Sequence, residues 1–229
     1  YRRSGARHTA TLTPTADENG HYKAGVWVRD SGAGIGTMSF VDPQRGTFAG
    51  LGHSISDADT GADLTLLSGE IVPVTITGCI RGAAGSPGEL RGEFAAAPAG
   101  TVLANDAAGV YGSYTGSCTA PALPVANLQE VTPGEAELWT TVLGTTAQPY
   151  TIQVERVTMT GSDPNRNLLI RVTDKRLLDA TGGVVQGMSG SPIVQNGRLA
   201  AVLTHVLVND PSRGYAIFAT TMLEKADAV

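Results

Sequence analysis

Ile193-Val194-Gln195-Asn196-Gly197-Arg198-Leu199-Ala200-Ala201-Val202 reads as two strands joined by a two-residue turn. Asn-Gly between apolar runs is a strong hairpin signal, because a type I′ turn needs positive φ at both central residues. Upstream, Tyr150-Thr151-Ile152-Gln153-Val154-Glu155 alternates apolar and polar residues with the period of a half-buried strand. Further short candidates include Thr9–Thr13, Tyr22–Arg29, Gly34–Val41, Asp63–Leu67, Glu70–Cys79 and Glu89–Phe94, with turns at Asp42-Pro43 and Asn209-Asp210-Pro211. Helical signals are two: Asp174–Ala180, capped by Asp174 and closed by Gly182-Gly183, and a short C-terminal segment, Thr220–Ala228. This is an all-β pattern, and the length suits two β-barrels packed together with a seam near 115–125.

The composition agrees. Of 229 residues, 29 are Gly and 12 are Pro, which favours turns over long helices. The net charge is 16 − 21 = −5, and Arg2, Arg3 and Arg7 form no binding face, so no nucleic-acid partner is expected. No apolar run reaches the roughly 18 residues of a membrane span, and no signal-peptide pattern is present. The opening at Tyr1 without Met leads us to expect a processed chain. Cys79 and Cys118 leave two readings, one disulfide or two free thiols.

Gly187-Met188-Ser189-Gly190-Ser191-Pro192 carries the sharpest chemical signal. A serine attacks only when a base takes its proton and donors await the oxyanion. The flanking glycines permit a tight turn that exposes Ser189 and aims the Gly187 and Ser189 amides into one small pocket. The bland alternative is an ordinary Gly/Ser loop. Ser191 is the rival nucleophile, but Pro192 restricts it to extended geometry. Four histidines compete as base. His8 and His21 read as exposed bystanders. His53, in Leu51-Gly52-His53-Ser54-Ile55-Ser56-Asp57, ends a strand and opens a polar loop, whereas His205 lies within an apolar strand and reads as a satisfied structural residue. For the orienting group, Asp57, Asp59, Asp63, Asp106, Asp163 and Asp174 are open, with Thr204 as a neutral partner. Asp174 is equally a helix cap. Asp57, Asp59 and Asp63 lack the register and closing Glu of a calcium loop, so neither metal nor cofactor is expected.

Several of these stretches resemble the SpoIVB peptidase family: Gly25-Val26-Trp27-Val28-Arg29-Asp30-Ser31, Gly34-Ile35-Gly36-Thr37, Gly52-His53-Ser54-Ile55-Ser56-Asp57-Ala58-Asp59-Thr60, Ser86-Pro87-Gly88-Glu89, Thr181 through Ile193, and Thr204-His205-Val206. The resemblance runs from about Leu12 to Leu223. It implies a chymotrypsin-like double β-barrel serine endopeptidase. The chain would be a single peptidase domain over 1–229, with lobes at about 1–118 and 119–229 and neither PDZ module nor membrane anchor. It implies Ser189 as nucleophile, His53 as base and Asp174 as the acid, with Thr204 and Asp106 as alternatives. It also implies an extracytoplasmic setting, between mother cell and forespore. The substrate there would be a membrane-associated regulator whose cleavage activates an intramembrane protease in sporulation signalling. Met188 precedes the nucleophile where trypsin-type enzymes carry Asp, which excludes activation by a new N-terminus pairing with that Asp. Two other readings compete: a catalytically silent β-barrel binding or scaffold module at the spore envelope, and a polysaccharide-binding β domain. Aromatics at 5% disfavour the latter.

Overall fold

The computed structural model describes residues 1–3, 5–25, 32–57, 60–161 and 163–229, with the side chain of Arg3 left aside. Half of the strand expected over Tyr22–Arg29 lies outside the described residues, as do Asp59 and the stretch 26–31.

Residues Tyr1–Gly34 form a unit of their own. It holds two small hairpins, β1 (Arg2–Arg3) with β2 (Ala6–Arg7) and β3 (Thr15–Ala16) with β4 (Tyr22–Lys23). Thr9–Thr13, expected as a strand, is irregular. Asp17 organises the second turn, accepting from the amides of Asn19 and His21 and pairing with Lys23 at 2.9 Å.

The second unit, Ile35–Val229, has two lobes of strands. An antiparallel sheet runs in the order β5 (Met38–Asp42), β6 (Thr47–Gly50), β11 (Gly109–Tyr114), β10 (Gly100–Asp106), β7 (Glu70–Ile71). The intervening β8 (Val74–Ile80) and β9 (Glu89–Phe94) leave this sheet and pair with each other as a hairpin arm, which single bridges tie to Gly144 and Gln186. The expected first barrel is therefore a half-barrel. Its last strand is two residues long and the arm that follows is spent elsewhere, so its edges do not meet among the described residues. Asp63–Leu67, expected as a strand, contributes one bridge, Ser56 to Asp63.

The second lobe does close. Its order is β12 (Gly134–Thr140), β13 (Gln148–Val157), β14 (Leu168–Val172), β17 (Arg213–Phe218), β16 (Arg198–Val206), β15 (Pro192–Gln195), and back to β12. The alternation in β13 holds: Tyr150, Ile152 and Val154 point into the core while Thr151 and Gln153 face solvent. The Asn196-Gly197 turn has φ of 52° and 73°, as a type I′ hairpin requires. Helix α1 (Lys175–Thr181) starts at Asp174 and ends on Gly182 in the left-handed region. Helix α2 (Ala219–Ala226) returns from the barrel, and its Met222 and Ala226 join Ala49, Ala108 and Tyr111 of the half-barrel in one core. Cys79 and Cys118 are unpaired; the partly buried Cys79 thiol donates to the Ile80 carbonyl, and burial raises its pKa. No helix among the described residues is long and apolar enough to cross a membrane.

Candidate active site

Two consecutive turns build the segment around Ser189. The Met188 amide donates to Val185 (3.2 Å) and the Ser191 amide to Met188 (2.9 Å). Gly187 and Gly190 take φ of 96° and 98°, which only glycine adopts without strain. A Cβ on Gly190 would also overlap the Thr37 carbonyl. Met188, fully buried in the barrel core, anchors the turn from below. Ser189 stands at its crest and its Oγ donates to the Thr204 carbonyl at 2.7 Å. Ser191 is fully buried, with no partner for its hydroxyl among the described residues, so no substrate reaches it.

Thr37 holds the turn from the half-barrel side. Its amide donates to the Ser189 carbonyl (2.8 Å) and its Oγ1 to the Gly187 carbonyl (3.1 Å). The amides of Gly187 and Ser189 themselves find no acceptor among the described residues. Both residues are half-buried.

His53 follows two residues in the left-handed region, Leu51 (φ 67°) and Gly52 (φ 69°). A Cβ on Gly52 would stand 2.9 Å from Thr204 Cγ2 and 3.1 Å from Ile217 Cγ2. Glycine thus lets the half-barrel loop lie flat on β16 and β17. That approach sets the His53 ring 4.9 Å from the His205 ring, tilted by 35°. His53 Nδ1 lies 2.8 Å from the Ser54 carbonyl. A carbonyl only accepts, so Nδ1 carries the proton and Nε2 is left as the basic nitrogen. Asn105 braces the loop beyond, accepting from the Ile55 amide (2.7 Å) and donating to the carbonyls of Ile55 and Leu64. Sequence reasoning passed over Asn105. Its signal, a polar residue at a strand end beside Asp106, points only to a turn.

His205 is not the satisfied residue expected. Its Nδ1 is buried without a partner among the described residues. Burial, then the neighbouring His53 and Arg166, push its pKa down to about 4 against the opposing pull of Asp163. Neutral near pH 7, it is no proton carrier there. A β-bulge falls between Leu203 and His205. It turns the Thr204 carbonyl onto Ser189, while Thr204 Oγ1 donates to the Asn165 carbonyl at 2.6 Å.

Asp63, Asp106, Asp163 and Asp174 each bond to groups other than His53. Asp174 caps α1: its carboxylate accepts from the amides of Arg176 (2.8 Å) and Thr151 (3.3 Å) and pairs with the Arg176 guanidinium (2.7 Å). Those bonds, led by Arg176, hold its pKa below the usual range. It also lies at the far end of β14, whose first residue Leu168 adjoins the Asn165–Asn167 loop that touches Thr204. At about 3.3 Å per residue, that strand alone carries the chain more than about 13 Å away. Asp106 accepts from the Ala108 amide (2.7 Å) and pairs with Lys225 (3.0 Å). Asp63 takes the hydroxyls of Ser54 and Ser56, which lower its pKa, and Asp57 accepts from Thr60. Asp163 caps a 3₁₀ turn and pairs with Arg166. His8 and His21 are exposed in the 1–34 unit. Among the described residues no three His, Cys, Asp or Glu side chains converge as a metal site.

A family profile described as SpoIVB peptidase S55 matches residues 20–223. No curated protein sequence matches the chain. Among solved structures, an inactive mutant form of Rv3671c from M. tuberculosis is similar at 17% identity, over 71% of this chain and 81% of that one, with a TM-score of 0.42. The active form of the Rv3671c protease, also at 17% identity, is covered over 89% of this chain and 93% of that one, with a TM-score of 0.41.

Proposed function

Since the chain belongs to the SpoIVB peptidase S55 family and is a serine peptidase, we propose that Ser189 is its nucleophile and His53 its general base. The observation that carries this reading is the 187–190 turn, where one hydroxyl shares a tight turn with two amides that have no acceptor among the described residues. A rotation about χ1 takes Ser189 Oγ from the Thr204 carbonyl toward His53. Nε2 then accepts the proton as Oγ attacks the scissile carbonyl. The Gly187 and Ser189 amides hold the oxyanion, a contribution on the order of 3 kcal/mol per donor. His53 returns the proton to the leaving amine, and water repeats the cycle on the acyl-enzyme. The orienting role falls to the Ser54 carbonyl, because Asp174, Asp106 and Thr204 are each engaged elsewhere. A backbone carbonyl fixes the tautomer as a carboxylate does, with less stabilisation of the imidazolium.

The family resemblance supports a finer reading: an endopeptidase acting outside the cytoplasm, between mother cell and forespore, on a membrane-associated regulatory protein. One observation favours a silent binding module instead. Ser189 bonds to Thr204 rather than to His53, and His53 Nδ1 faces the Ser54 carbonyl. Fluorophosphonate labelling decides between them. Labelling of the wild type that is lost in Ser189→Ala and His53→Ala and kept in Asp174→Ala is expected. An unlabelled wild type would overturn the peptidase mechanism.

A further inference from the structure

We infer that the hairpin arm β8–β9 sets the oxyanion site in its working orientation, through a hydrogen bond from the Leu90 amide to the Gln186 carbonyl (2.8 Å). This rests on the proposed roles of Ser189 and of the Gly187 and Ser189 amides. A trans peptide unit is planar, and its N–H and C=O point in opposite directions. The Gly187 N–H shares a unit with the Gln186 carbonyl, and the Ser189 N–H shares one with the Met188 carbonyl. Whatever fixes those two carbonyls fixes the two donors.

The Met188 carbonyl is fixed locally, by the Ser191 amide three residues on. The Gln186 carbonyl accepts instead from a strand of the arm. Gln186 also donates its own amide to the Gly88 carbonyl (2.8 Å), so the arm grips residue 186 on both sides, as a parallel bridge with Glu89. Beyond the grip stands Gly187 at φ 96°. Inverting the 186–187 peptide exchanges one glycine-allowed conformation for another, with no side chain to oppose it. The Leu90 bond is therefore the restraint that selects the productive face.

The end of the arm is closed by near backbone approaches within its own turn and tied to α1. A Cβ on Gly88 would overlap the Ile80 carbonyl and come within 2.5 Å of the Gly82 nitrogen. The Gly82 amide donates to Thr181 (2.8 Å) at the end of α1, and the Arg81 guanidinium covers the last carbonyls of that helix, Leu178 (3.1 Å) and Asp179. The Leu90 side chain is buried in the barrel core. The arm's outer side keeps Ile80 and Phe94 exposed. Displacing the arm thus disables one oxyanion donor without touching Ser189 or His53.

The decisive experiment replaces Leu90 by its α-hydroxy acid, which keeps the side chain and deletes the N–H. The expected result is a kcat lower by about 10²-fold with KM within about threefold. A crystal structure of that chain should show the Gln186 carbonyl turned away from β9. In the unmodified chain, a scalar coupling across the Leu90 N–H to Gln186 carbonyl bond is expected by NMR, and it should vanish in Gly88→Ala together with the same kcat loss. An unchanged peptide orientation, an unchanged kcat, or absence of the coupling in the unmodified chain overturns the inference. If the unmodified chain proves to have no peptidase activity, the proposed catalytic roles fall. The orientation and the coupling still decide the clamp.

Discussion

The closed barrel and the half-barrel fill their interiors differently, and the barrel supplies most of its own. Leu138, Ile152, Leu168, Ile170, Ile193 and Leu203 line its centre with no solvent contact. The half-barrel borrows. Ala49, Ala108 and Tyr111 pack on Met222 and Ala226 of α2 and on Val202 and Ile217 of the barrel, leaving Phe48, Val102 and Val110 as a small core of its own. The lobe that carries Ser189 thus closes around its own residues and takes in Ile76 and Leu90 of the arm. The lobe that carries His53 and Thr37 depends on its neighbour, so the catalytic groups come together only when the dependent lobe is docked.

The largest expected effect separates chemistry from that architecture. Ser189→Ala should lower kcat by about 10⁴- to 10⁶-fold while leaving the melting temperature in place. Core truncations then test the asymmetry directly. Ile170→Ala should cost about 2–5 kcal/mol in urea denaturation. Val102→Ala, in the open sheet, should cost no more than about 2 kcal/mol. Equal costs would mean that the half-barrel is as autonomous as the barrel. Asp174→Ala removes a helix cap worth about 1 kcal/mol, so the melting temperature should fall while kcat/KM per folded molecule holds. A hundredfold loss of kcat at unchanged stability would return Asp174 to the catalytic machinery.

Acid should expose the buried face between the lobes. His205 has its pKa pushed down from 6.5 to about 4, so between those values the unfolded chain binds more protons than the folded one. Stability is fully present above pH 6.5 and declines as the pH falls toward 4. In His205→Phe that part of the slope should disappear from melting curves recorded against pH. The smallest effect is expected for Thr37→Val, which loses the hydroxyl bond to the Gly187 carbonyl but keeps the amide bond to Ser189. A two- to tenfold lower kcat follows from about 0.5–1.5 kcal/mol for one hydrogen bond.

What the sequence revealed was mostly local. The Asn196-Gly197 hairpin, the alternation of β13 and both caps of α1 depend on neighbours within a few residues, and each is where the residues place it. The tight turn around Ser189 was legible for the same reason, since Gly187 and Gly190 announce positive φ. Closure of the first barrel was not legible, because it turns on which strand β8–β9 pairs with. The Thr204 bulge, the Thr37 clamp and the Leu90 bond are also long-range contacts, and their residue types are ordinary. His205 shows the limit most clearly: an apolar strand context says that it is buried, and only the fold says that it stacks on His53. Asp174 offered two readings from one pattern, and Arg176 beside it supplies the physical reason that its carboxylate is occupied.

Helix α2 has a consequence for biosynthesis. The inner layer of the half-barrel, around Tyr111, is completed by Met222, so this lobe waits for roughly 110 further residues to be translated, on the order of 5–20 s at ribosomal speed. Throughout that interval the nascent sheet presents an uncovered apolar surface, a natural target for chaperones. It also means that newly made enzyme is silent until synthesis has passed α2.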